Sequence, residues 1–63
     1  MKRFSEKVYN FFNYEVILDK HYNYRIISND DGYMFPITFN TKYHAQKYLD
    51  TIIGNLVDRF EIA

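Results

Sequence analysis

The sequence predicts an α+β domain in the order αβββα: a short N-terminal helix, a three-stranded antiparallel β-meander, and a C-terminal helix packed on one sheet face. Three observations predict it. Apolar residues recur at helical spacing near both ends of the chain. Between them lie three runs rich in β-branched and aromatic residues, with partial period-two alternation. Turn-forming residues separate those runs.

The first helix is placed at residues 5–12. Ser5 caps it, and Glu6 sits where the helix dipole favours an anion. Phe4, Val8, Phe11 and Phe12 form one apolar stripe, and Asn13 is a terminator because Asn tolerates the left-handed conformation. Strands follow at 14–19 and 22–28, joined by Lys20-His21. Tyr14, Val16 and Leu18 share one face of the first; Tyr22, Tyr24 and Ile26 share one face of the second. Asn29-Asp30-Asp31-Gly32 is the strongest turn signal in the chain. The third strand is placed at 33–39, with Tyr33, Phe35, Ile37 and Phe39 inward. Pro36 puts it at a sheet edge or bends it. Asn40 or Thr41 caps the last helix. Its stripe is Ala45, Leu49, Ile52, Ile53, Leu56, Val57 and Phe60, while Lys42, Gln46, Lys47, Asp50 and Asp58 fall largely elsewhere. Gly54 either ends the helix or is carried inside it at about 1 kcal/mol, and the unbroken stripe favours continuation to about residue 59.

Length and charge narrow the function. The chain has 63 residues and a formal net charge of zero, with aromatics at 21%. That composition is too aromatic for a disordered chain and allows one domain, residues 1–63. Charge balance disfavours a non-specific nucleic-acid binder and an acidic nucleic-acid mimic alike. With no Cys there is no disulfide, no Cys-based zinc site and no thiol nucleophile. No apolar run approaches the roughly 18–20 residues that span a bilayer, and Glu6, Lys7 and Asn10 break up any signal-peptide core, so a cytoplasmic protein is expected. Asn, Lys, Ile, Tyr and Phe make up 31 of the 63 residues, which points to an AT-rich coding genome; a phage or mobile element is one source of such chains.

Candidate sites each have a plainer reading. Asp30-Asp31-Gly32 lacks the spaced oxygen donors of a calcium loop and reads as a hairpin turn. His21 and His44 have no Cys or short His-x-His spacing beside them and read as exposed or structural. Ser5 and Ser28, the only serines, stand in no nucleophile arrangement with them. No metal or cofactor is expected, and a chain this short is not expected to enclose a substrate cleft of several hundred Å³, so an enzyme is disfavoured. Tyr22, Tyr24, Arg25 and Tyr33 either stack nucleic-acid bases or form core. The other sheet face carries Glu15, Ile17, Asn23, Arg25, Ile27, Met34 and Thr38, with apolar side chains where a solvated face is polar. The N-terminal helix, a second subunit or a partner would cover them. Tyr43, Lys47, Tyr48 and Thr51 form a helix flank suited to protein contact.

The run Tyr24-Arg25-Ile26, then Asp31-Gly32, then Phe39 followed two residues on by Thr41, Ala45 and Leu49 at four-residue steps, resembles the strand-and-helix scaffold of phage-integrase arm-binding domains. The resemblance implies three strands before a capped helix. Those domains usually carry a basic sheet face, and here Arg25 stands almost alone.

The leading expectation is a small non-enzymatic module that binds another protein as an inhibitor or regulator. Arg25, Ile27, Met34, Tyr43, Lys47 and Tyr48 are its contact residues. The runner-up is nucleic-acid binding through the sheet face, with Arg25, Lys42 and Lys47 supplying charge. A homodimer is compatible with the leading reading.

Overall fold

The first helix begins where the sequence places its cap. Ser5 is extended at φ −70° and ψ 159°, and its hydroxyl accepts a hydrogen bond from the Val8 N–H. Helix α1 runs Glu6–Phe12 and ends at Asn13, whose φ of 59° is left-handed and whose N–H returns to the Tyr9 carbonyl. The computed structural model describes residues 3–60, with the backbone alone at residue 60.

Strands β1, Tyr14–Leu18, and β2, Tyr24–Ser28, pair antiparallel, with Val16 opposite Ile26 and Leu18 opposite Tyr24. Their connection is longer than the expected Lys20-His21 turn. Asp19 organises it: its carboxylate accepts the N–H of His21 at 2.8 Å and of Asn23 at 3.0 Å. The Asn23 bond first, and the His21 bond after it, hold the Asp19 carboxyl below its ordinary value of 3.8. Tyr22 takes a left-handed φ of 62° in this loop and is 81% exposed, so it does not belong to the strand face predicted for it.

The expected three-stranded meander is not formed. Among the described residues the sheet has two strands, and residues 33–39 touch β2 at two isolated bridges, Ile27 with Met34 and Tyr24 with Phe39. The topology implied by the integrase-like scaffold is therefore absent. Three steps separate Ile27 from Tyr24, but five separate Met34 from Phe39, so residues 33–39 carry two extra residues. Pro36 lies inside that bulge, where the chain bends. Its ring holds φ near about −65°, off the extended value of a regular strand. The Phe35 N–H still reaches the Ile26 carbonyl at 2.9 Å, but the Phe35 carbonyl turns to the Arg25 guanidinium at 2.7 Å. Half of the side chains expected inward are so. Phe35 and Phe39 pack on the core, whereas Tyr33 and Ile37 are exposed.

Helix α2, Lys42–Phe60, crosses the inner face of the two strands. Thr41 caps it, its hydroxyl accepting the His44 N–H at 3.2 Å. Ala45, Leu49 and Ile53 are buried, and Leu49 and Ile53 meet Ile26 of β2 and Tyr9 of α1. Phe4, Val8, Phe12, Tyr14 and Val16 close around them, with the Tyr14 and Phe35 rings perpendicular at 5.7 Å. Two predicted surface positions of α2, Gln46 and Asp50, are buried instead.

The helix continues through Gly54, as the apolar stripe requires. A Cβ there would lie 3.4 Å from the tip of the Arg3 side chain and 3.7 Å from the Phe4 ring. Because the Arg3 tip is flexible, Gly54→Ala is expected to stabilise the chain by about 0.5–1 kcal/mol through helix propensity. A lower midpoint in urea would show instead that the Arg3–Phe4 crossing needs the missing Cβ.

Candidate interaction surfaces

The alternation of β1 and β2 sends Tyr14, Val16, Leu18, Tyr24 and Ile26 to the face covered by α2. Glu15, Ile17, Arg25 and Ile27 must then point the opposite way. Ile17 lies opposite Arg25 across the ladder, and Ile27 is bridged to Met34. The result is that Ile17, Arg25, Ile27 and Met34, all half-buried, share this face. The buried side chains of both helices go to the other face, so the N-terminal helix does not cover this row as one expectation had it. Arg25 is held in place by its bond to Phe35, and its Nε is buried without a hydrogen-bond partner.

The predicted contact residues therefore fall into two groups. Arg25, Ile27 and Met34 share the outer sheet face. Tyr43, Lys47 and Tyr48 lie on α2, which packs against the inner face, so the two groups do not form one surface. Tyr43 is exposed beside the His44 ring at 5.5 Å, and Tyr48 leans on Phe39 at 5.4 Å. The base-stacking set is also dispersed. Tyr24 faces inward and Arg25 outward, while Tyr22 and Tyr33 sit in connections.

The remaining candidates resolve into local structure. Gly32 has φ 74°, and its N–H closes on the Ser28 carbonyl at 2.9 Å. Asp31 accepts the Tyr33 N–H at 2.9 Å, and Asp30 accepts from the Asn13 amide at 2.8 Å. Asp31 thus serves the turn after β2, and Asp30 ties that turn to the end of α1. His21 is exposed in the Asp19 loop, and the His44 ring sits 3.0 Å from the Thr41 hydroxyl at the helix cap.

One polar cluster was invisible in the sequence pattern. Asp50 Oδ1 accepts from the Tyr9 hydroxyl and, at 3.0 Å, from the Gln46 amide. Its Oδ2 accepts the Arg3 N–H at 3.2 Å, while the Tyr9 oxygen accepts the N–H groups of Arg3 at 2.9 Å and Phe4 at 3.2 Å. Tyr9 is 4% exposed. Burial first, and the bond to Asp50 second, push its phenol above the ordinary value of 10.0. A folded value above the unfolded one means the bonded phenol stabilises the fold below pH 10 and the gain is lost as pH rises through the folded value. Subtracting the absorbance titration of Tyr9→Phe from that of the wild type is expected to show an ionisation above pH 10. The variant is also expected to lose stability less steeply in that range.

A cleft of about 380 Å³ opens between α1, the start of β1 and the first turns of α2. Glu6, Asn10, Glu15, Asn29 and Lys42 line it, with Leu49 among its apolar contacts. The cleft is open to solvent along one side rather than enclosed. Its amides and carboxylates are partly engaged with each other, as in the Asn29–Glu15 bond at 3.0 Å. Among the described residues no helix is long and apolar enough to cross a membrane, and no three His, Cys, Asp or Glu side chains gather to hold a metal ion. No protein-family model, curated protein or solved structure matches the chain.

Proposed function

We propose that this chain is a binding module for another protein and that the outer sheet face makes the contact. The observation that carries this reading is that Arg25, fixed by its bond to the Phe35 carbonyl, shares with Ile17, Ile27 and Met34 a face to which neither helix sends its buried side chains. An Arg whose rotamer is already set loses less entropy on binding, and apolar surroundings exclude water from the bond it makes. The guanidinium keeps donors that the Phe35 carbonyl does not use, so a carbonyl or carboxylate flanked by apolar side chains is the complementary group. Zero net charge fits a partner chosen by shape and apolar contact over one recruited by long-range attraction. Inhibition or regulation of that partner is the mode of action we favour.

The test is quantitative capture on the wild-type chain and on an Ile27→Glu, Met34→Glu double variant shown by circular dichroism to be folded. A protein enriched on the wild type and lost on the variant supports the reading. Equal capture by both chains, or none by either, overturns it. So does tight binding of DNA or RNA that weakens steeply with salt and with Arg25→Gln.

A further inference from the structure

We infer that the unpaired edge of β1 joins the same edge of a second copy of this chain, extending the two-stranded sheet across a two-fold axis. The ladder between β1 and β2 is closed by Asp19 N–H to the Asn23 carbonyl and Asn29 N–H to the Asn13 carbonyl, each 2.9 Å. Odd-numbered residues of β1 therefore bond to β2. The N–H and C=O groups of Tyr14, Val16 and Leu18 point away from it. Among the described residues no side chain or backbone group bonds to them.

The two sides of the sheet are managed differently. Beyond β2 lies the bulged segment with Pro36, two devices that blunt an edge. β1 has neither Pro nor Lys nor a bulge, and its one charged residue, Glu15, lies on the outer face, held by Asn29.

The edge is complementary to itself. A two-fold axis at Val16 sets Val16 against Val16 of the second copy and Tyr14 against Leu18 in both directions. All three outward-pointing residues then exchange N–H and C=O bonds. Shifting the register to set Glu15 against Glu15 would oppose like charges. Leu18, 52% exposed, gains the Tyr14 ring of the other chain as a neighbour. Tyr14 and Val16 border the cleft beside α1, which supplies room for that side chain on the inner face. A two-stranded hairpin is marginal alone, and four strands over two α2 helices bury more of the same apolar face. This pairing does not depend on the outer-face reading, since it uses edge amides and inner-face side chains.

The experiment is sedimentation equilibrium of the full chain from about 10 µM to about 1 mM, where mass action fills a weak dimer. Val16→Pro removes an outward N–H without touching a bond to β2, and it does so in both chains of the pair. The expected weakening of self-association is about thirtyfold. Leu18→Lys is expected to weaken it as well and guards against misfolding of the Pro variant. Isotope-filtered NOE spectra of mixed labelled and unlabelled wild type are expected to show contacts between Tyr14 of one chain and Leu18 of the other. A monomer throughout that range, or a dimer unaffected by Leu18→Lys and lacking those contacts, would overturn the inference.

Discussion

Ile53→Ala is expected to lower the melting temperature by about 8–40 °C, the largest effect of any single truncation in α2. Ile53 has no exposed surface and meets Ile26, Leu49 and Tyr9. Removing a buried aliphatic side chain to Ala costs about 2–5 kcal/mol, part of it from a cavity that rigid neighbours cannot fill. A chain of this length has about 3–9 kcal/mol in total, by the usual 0.05–0.15 kcal/mol per residue. In a domain this small, each kcal/mol moves the midpoint by about 4–8 °C. Leu56→Ala is the control, because Leu56 is half-buried on the same helix. Thermal melts by circular dichroism decide the matter: equal shifts for the two variants would mean that the core is not centred on Ile53.

Asp50→Ala is expected to destabilise the chain by about 3 kcal/mol, although nothing apolar is removed. The change removes the carboxylate that accepts from the Tyr9 hydroxyl and the Gln46 amide, and one of the two acceptors of the Arg3 N–H. Unsatisfied buried donors lose their hydration without recovering a bond, at about 1–3 kcal/mol each where water cannot reach them. The network also ties residues 3 and 4 across α2, so its loss is expected to release that segment from Gly54. Asp50→Asn is expected to fall between Ala and the wild type. It keeps an acceptor for Tyr9 and Gln46 but turns an N–H towards the Arg3 donor. Urea midpoints for the Ala and Asn variants and for the exposed Asp58→Ala give the comparison. If Asp50→Ala matches Asp58→Ala within about 0.5 kcal/mol, as surface substitutions do, the buried network contributes nothing. Ile53 and Asp50 lie one turn apart, so their combined loss is not expected to be additive.

Both residues bear on what periodicity can reveal. Ile53 belongs to a stripe that recurs every three or four positions, and such a stripe must face a core whatever that core contains. Asp50 breaks the pattern. A carboxylate beside a Gln at four-residue spacing reads as a solvated margin until something arrives to hydrogen-bond it. Here that is Tyr9, 41 residues earlier in the chain. The helix caps were legible for the same local reason as the stripe: Ser5, Asn13 and Thr41 act on backbone groups within four residues of themselves. Of the candidate contacts, Arg25 and Ile27 were legible as neighbours because strand alternation decides which way each points, and Met34 joins them through its bridge to Ile27. The Arg25–Phe35 bond was not, since it depends on how Pro36 diverts the facing segment.

The amino-acid order by itself determined two capped helices and two of the three strands expected between them, because these follow from repeats of 3.6 and 2 residues and from side chains acting on their own backbone. Tertiary structure alone decided that residues 33–39 touch the sheet at two points without forming a strand, that Asp50 and Gln46 are buried, and which edge of β1 is left open. Those outcomes depend on contacts between segments far apart in the chain, and only after folding does a displaced carbonyl or a buried carboxylate have a partner.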